Sequence, residues 1–235
     1  MKVKLIASTI LEDPEWVGTG FVDDEPDTTS ADVLAEFAGR NCYRSFHRPN
    51  PKTRTNVDYL DHILEVGHES VLEHSSATFY IEASRSVLTE LERHRHLSFS
   101  VVSQRYVDVT GLGIHIPPAI DSLPEGDRQH ALAEIQHIRE ETMASYGALY
   151  ELFKRNGLPL KQAREAARAV LPNMTNSPMV VTGNHRAWRD LIKARWHEAA
   201  DAEIRDLAGE LLRQLREVAP NTYQDIPTTP YSYGG

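Results

Sequence analysis

The chain has 235 residues, 40% hydrophobic and 25% charged, and its 34 acids outnumber its 25 lysines and arginines to give a formal net charge of −9. Those proportions suit a soluble globular domain with a real core, and the acidity argues against a broad basic face for nucleic acid. One cysteine, Cys42, excludes an internal disulfide framework and a multi-cysteine metal site, and no apolar run approaches the roughly 18 to 20 residues of a membrane span.

In chain order, Val3 to Thr9 alternates partly and predicts a first strand. The basic start before it is too short in apolar residues for a signal peptide, so a cytoplasmic protein is expected. Glu12 to Thr28 is polar and rich in Pro and Gly, which predicts a loop. Thr29 or Ser30 can then cap a helix with Val33, Leu34, Phe37 and Ala38 on one face. After the break at Pro49-Asn50-Pro51, Val57, Leu60, Ile63 and Leu64 predict a second helix that Gly67 ends. Ala77 to Ile81 is β-rich, and Ser84 opens a helix running toward Arg93.

Ile114 and Ile116 suggest a short strand stopped by Pro117-Pro118. The longest helix is expected after Pro124, with Leu132, Ile135, Ile138, Tyr146, Leu149 and Phe153 recurring at helical spacing until Asn156-Gly157. Lys161 to Val170 predicts a further helix, Met179 to Thr182 a strand, and Asn184 to Leu215 one last long helix before Pro220. Strands interspersed with helices, without repeats or a clear linker, give an α+β class: a single domain over residues 1–235, with a central, mostly antiparallel sheet flanked by long helices.

The densest chemistry lies between Arg93 and Arg105. This run holds three arginines, two histidines and three serines but no acid, against the sign of the whole chain. Guanidinium and hydroxyl donors at that density suit phosphate or another polyanion. Ser103-Gln104-Arg105 could orient a phosphomonoester and its attached sugar or base; a charged helix end with capping serines is the plainer reading. Ser103 as a nucleophile would need an aligned base, and spacing alone does not bring His94 or His96 to it.

Lys161, Arg164 and Arg168 form one basic stripe on a helix, solvated unless Arg168, next to Leu171-Pro172, enters a pocket. Asn184 reads as an N-cap or a ligand group. Arg186 and Arg195 are nine residues apart and so on opposite faces of one helix. His62, His68 and His74 with Asp61, Glu69 and Glu73 raise a metal-dependent phosphohydrolase, but their spacing matches no metal motif, so no metal is expected.

Arg93-His94-Arg95-x-x-Ser98-x4-Ser103-x-Arg105 resembles the signature of the flavin-dependent thymidylate synthases. Gly67 to His74, Lys161 to Pro172 and Val181 to Trp188 resemble flanking blocks of that family, so the likeness spans nearly the whole chain. The resemblance implies conversion of dUMP to dTMP, with methylenetetrahydrofolate as one-carbon donor and NADPH-reduced FAD as hydride source. It also implies a homotetramer with active sites shared between subunits, and neither a membrane nor a specific nucleic-acid partner.

By position, the resemblance places Ser70, Glu73, Arg93, His94, Arg95, Val101, Asn184, Arg186 and Asp190 against FAD. It places Glu90, Arg93, Val101, Ser103, Gln104, Arg105, Arg168 and Arg195 against dUMP, with Arg105 and Arg168 near the phosphate. Arg195 would favour the anionic form of uracil at N3, and Ser103 would position dUMP more than attack it. Cys42 does not match the nucleophile of the unrelated cysteine-dependent synthases. Three positions depart from the pattern: Val101 replaces a Gln or Glu, Asp190 an Asn or His, and Ala199 a His. All three belong to the flavin surroundings, which implies intact nucleotide binding with altered flavin affinity or turnover. The alternative is a catalytically impaired homologue that binds nucleotide or RNA without turnover.

Overall fold

The computed structural model describes residues 1–12, 18–22 and 25–232. Among them are four strands, β1 (Lys2–Ser8), β2 (Ser76–Ser84), β3 (Ser98–Val101) and β4 (Asn176–Asn184). They form an antiparallel sheet in the order β1-β2-β4-β3. Seven α-helices accompany it among the described residues: α1 (Ser30–Tyr43), α2 (Asn56–Glu65), α3 (Arg85–Leu91), α4 (Glu125–Arg155), α5 (Leu160–Ala167), α6 (His185–Arg195) and α7 (Ala202–Val218). The α+β class and the antiparallel sheet agree with expectation. No helix among the described residues is long and apolar enough to cross a membrane.

Side chains of β2 and β4 alternate. Ala77, Phe79, Ile81 and Ala83 are buried on one side of β2, while Thr78, Tyr80 and Glu82 are half-exposed on the other. In β4 the alternating buried set is Ser177, Met179, Val181 and Gly183, and Asn176 at the start of the strand is buried as well. Two compact units can be distinguished, one of Met1–Lys2, Ile81–Arg93 and Ser100–Met179, the other of Val3–Tyr80, His94–Phe99 and the chain from Val180 onward. In the first, Val109, Tyr146 and Ala167 are the centre of an apolar cluster between α4 and α5. Gly157, at φ +88°, makes the turn between these helices in a conformation that favours glycine.

In the second unit, Leu60, Ile63, Val71 and Leu72 pack with Ala35 and Tyr59, and Trp188 of α6 lies edge-to-face on Phe79 while its Nε1 donates to the Ala77 carbonyl at 3.1 Å. Buried charges there are matched. Glu36 accepts from Arg40 at 2.6 Å, Arg48 at 3.1 Å and Asn56 at 2.8 Å, and Asp32 accepts from the Asn221 and Thr222 backbone. Such matching is what allows these groups to be buried at all.

Several boundaries differ from the sequence reading. Ile114 makes only an isolated bridge with Thr175, whereas the unexpected β3 lies inside the cationic run, where Ser98-Phe99-Ser100-Val101 has the alternation of a strand but few apolar residues. The single helix expected from Asn184 to Leu215 is two. Trp196 leaves the helical region at ψ 61°, held by its indole N–H on the Pro227 carbonyl, and Asp201 starts α7 by accepting from Glu203 N–H. The Lys161 to Val170 helix tightens at Arg168–Val170 into a 3₁₀ turn. Thr29 occupies the N-cap position of α1, but its hydroxyl donates to Asp32 instead of accepting a helix N–H. Within the Glu12 to Thr28 loop, residues 13–17 and 23–24 lie outside the described residues. Ser84 caps α3 and Gly67, at φ +71°, follows α2, both as expected.

Candidate functional site

In the second unit, α6 begins where β4 ends. Asn184 is the N-cap, and its Oδ1 accepts from Ala187 N–H at 2.8 Å. Arg186 and Asp190, four residues apart, share one side of the helix. With Glu73, His96, Asn184 and Ala187 they line a cavity of about 240 Å³. Glu73 ends the 3₁₀ turn Glu69–Glu73 and accepts from Arg186 Nη1 at 2.5 Å. That hydrogen bond raises the Arg186 pKa above its usual value. Behind the cavity, a Cβ on Gly183 would lie 2.3 Å from Leu97 Cδ2, so glycine permits the loop that carries His94 to His96 to approach β4 closely.

At the far end of α6, Arg195 Nε donates to His94 Nε2 at 3.2 Å. Burial and the Arg195 charge lower the His94 pKa, although Asp190 pulls it the other way. His94 therefore accepts as a neutral imidazole with its proton on Nδ1, and it orients the guanidinium.

The first unit has its own cavity, of about 270 Å³, lined by Arg85, Gln104, Glu165, Arg168, Asn173 and the chain around Leu171-Pro172. Arg85 is the first residue of α3, tied by its N–H to the Thr175 carbonyl at 3.0 Å. Gln104 sits in a turn in which the Ser103 carbonyl accepts from Tyr106 and Val107 N–H, and Arg168 sits where α5 tightens. Two guanidiniums and two amides face one carboxylate, and that carboxylate, Glu165, is 3.8 Å from Arg105. This excess of forked cationic donors suits a dianion such as a phosphomonoester.

Lys161 lies over the Tyr106 ring and Arg164 donates to the Tyr106 carbonyl at 2.7 Å, so the stripe supports the Gln104 turn as well as meeting solvent.

Four residues expected at flavin, Glu73, Asn184, Arg186 and Asp190, thus meet in one cavity, and two expected at dUMP, Gln104 and Arg168, meet in the other. Ser70, exposed on the Glu69–Glu73 turn, and exposed Arg95 do not line the former, nor does half-buried His94. In the first unit, Glu90, Arg93, Val101, Ser103 and Arg105 do not line the Arg85 cavity; Val101 closes β3 and Arg93 N–H donates to the Glu90 carbonyl.

Sequence reasoning missed Arg85, Asn173 and Glu165. Arg85 had a signal, an arginine directly after a predicted cap, whereas Asn173 had none. His96 enters the sequence reading only as part of the run and as a base that spacing alone does not bring to Ser103. Among the described residues, no group of three or more His, Cys, Asp or Glu is placed to hold a metal ion.

Residues 26–221 match the family described as thymidylate synthase complementing protein. The chain is 75% identical over 235 residues to the probable flavin-dependent thymidylate synthase of Mycobacterium phage D29, covering all of both chains. It is 67% identical over 243 residues to the one of Mycobacterium phage L5, covering 99% of this chain and 100% of the other. It is 47% identical over 242 residues to the flavin-dependent thymidylate synthase of Mycobacterium tuberculosis strain H37Ra, covering 100% of this chain and 93% of that one. The chain therefore belongs to the thymidylate synthase complementing protein family, the family of enzymes that includes the flavin-dependent thymidylate synthases.

Proposed function

We propose that this enzyme makes dTMP from dUMP, with methylenetetrahydrofolate as one-carbon donor and FAD, reduced by NADPH, as hydride source. The observation that carries the proposal is the convergence of Gln104 and Arg168, from separate blocks of the sequence, on one cationic cavity with Arg85. Arg85 and Arg168 hold the phosphate of dUMP there with charge-assisted hydrogen bonds, supported by Arg105, while Ser103, Gln104, Glu90 and Arg93 orient the rest of the nucleotide. Arg195, oriented by His94, stabilises negative charge on the uracil ring and so makes its carbon a better nucleophile toward the one-carbon unit. Ser103 is a positioning group in this scheme.

The second unit's cavity fits a flavin dinucleotide by its donors. Arg186 suits a phosphate group, and Glu73 and Asp190 suit hydroxyls. Asn184, Arg186, Glu73 and Asp190 would hold the flavin there, with Ser70, Arg93, His94, Arg95 and Val101 completing the set. Bound flavin supplies the hydride chemistry that no side chain provides. Val101, Asp190 and Ala199 are proposed to change flavin affinity or turnover while dUMP binding stays intact.

Each cavity is below the roughly 300 Å³ at which small-molecule sites commonly begin. Incomplete cavities accord with a homotetramer whose subunits share active sites, and a single-domain, cytoplasmic enzyme completes the proposal. The test is an absorbance spectrum of the purified protein, then NADPH oxidation with and without dUMP. Yellow protein that bleaches with NADPH, and folate-dependent tritium release from 5-tritiated dUMP, are expected. Colourless protein that binds dUMP without tritium release would replace the proposal with a non-catalytic nucleotide or RNA binder.

A further inference from the structure

A neighbouring side of α6, about 100° round from Arg186 and Asp190, carries His185 and Arg189. Arg189 is 0% exposed. Its guanidinium grips Asp225 with both forks, Nη1 to Oδ1 and Nη2 to Oδ2, each at 2.7 Å. Nη1 also donates to the Thr222 carbonyl, and Nη2 reaches Glu69 Oε1 at 3.5 Å. Glu69 accepts in addition from Lys193 Nζ at 2.7 Å. Burial by itself would raise the Glu69 and Asp225 carboxyls, but these cations hold both below the usual range.

Taking a guanidinium out of water carries a penalty of several kcal/mol, so such a cluster is weak evidence for stability as such. An apolar pair of similar volume would join the same segments. What the planar fork adds is register, because a bidentate contact specifies direction as well as distance. Three segments meet on Arg189: α6, the Thr222–Asp225 stretch, and the turn Glu69–Glu73. That turn presents Ser70 one residue from the clamp and Glu73 opposite Arg186 in the cavity. The two cations and two acids also cancel, so the clamp adds no net charge to compete for an anionic ligand.

We propose that Arg189 is a positioning residue for the flavin cavity, acting through Glu69 and Asp225 to set the turn that presents Ser70 and Glu73. The proposal rests on the reading of that cavity as the flavin site. It assigns the stretch around Asp225, far along the chain from Arg93–Arg105, to the same task.

The test measures FAD affinity by flavin fluorescence, the visible circular dichroism of bound FAD, and dUMP affinity by calorimetry. The proteins are wild type, Glu69→Gln, Asp225→Asn, Arg189→Lys and Arg186→Ala. The first three variants are expected to weaken FAD about tenfold and alter the flavin dichroism, with dUMP affinity within about twofold of wild type. Folded variants that keep FAD affinity within about twofold overturn the proposal, as do parallel losses of FAD, dUMP and thermal stability, which mark a merely structural role. If Arg189→Lys does not fold, Glu69→Gln and Asp225→Asn decide by the same criteria. FAD binding that Arg186→Ala leaves unchanged overturns the reading of the cavity, and the inference with it; loss with Arg186→Ala alone overturns only the inference.

Discussion

His185 opens α6 and its imidazole is fully buried. Nδ1 is 2.9 Å from the Tyr223 hydroxyl, and Nε2 has no hydrogen-bond partner among the described residues. A proton added there would charge a ring enclosed by protein, so burial pushes its pKa from 6.5 down to about 4. The folded pKa is depressed below the unfolded one, and the unfolded chain therefore binds this proton more readily. Stability is unaffected above the unfolded value and falls as pH drops from about 6.5 toward about 4.

At about 1.4 kcal/mol per pH unit, the full loss is about 3 kcal/mol, of which about 2 kcal/mol accrues between about pH 7.5 and about pH 5. The assay is urea denaturation at stepped pH for wild type and His185→Asn, whose amide can still meet Tyr223 but does not titrate. The variant is expected to be less stable at neutral pH, because it leaves a cavity, and to have a flatter profile. His94, also depressed, leaves both proteins some slope, so the difference between profiles is what counts. Parallel profiles would refute the reasoning.

Arg168→Ala should weaken dUMP binding by about 2 kcal/mol, since it removes a charge-assisted contact, and calorimetry showing unchanged affinity would take it out of the phosphate site. Arg195→Ala should lower kcat more than dUMP affinity, and by removing a nearby cation should raise the His94 pKa; an NMR titration of His94 that does not move upward contradicts the contact. Gly209→Ala should destabilise the fold. A Cβ there would lie 2.5 Å from Trp196 Cζ3, and overpacking of about 1–3 kcal/mol outweighs the gain of up to about 1 kcal/mol in helix propensity. A thermal melt at or above the wild-type midpoint would show that the indole yields.

Periodicity revealed most helices because an amphipathic stripe is a local pattern. It failed at Trp196, where the break between α6 and α7 is made by backbone and indole contacts with Pro227 and Tyr231, distant in sequence. It also failed at β3, whose few apolar residues are too short a sample of alternation. Site residues within a long motif, such as Gln104, could be singled out early. Asn173 could not, because only the fold of the chain around Pro172 brings it beside Arg168 and Arg85. The same holds for Arg189, an arginine in a helix whose partners lie 36 and 120 residues away.

The cap on α6 has a consequence for what its cavity can accept. A side-chain amide normally offers a donor and an acceptor and suits either kind of neighbour. At Asn184 the oxygen already accepts from Ala187 N–H and keeps one lone pair, while both amide N–H donors are left for a ligand. Folding thus biases an ambivalent side chain toward ligand acceptors, two donors being offered against one remaining lone pair. Asn184→Asp would satisfy the helix equally well and reverse that bias, so ligand preference at this position can change sign through one atom while the backbone stays the same.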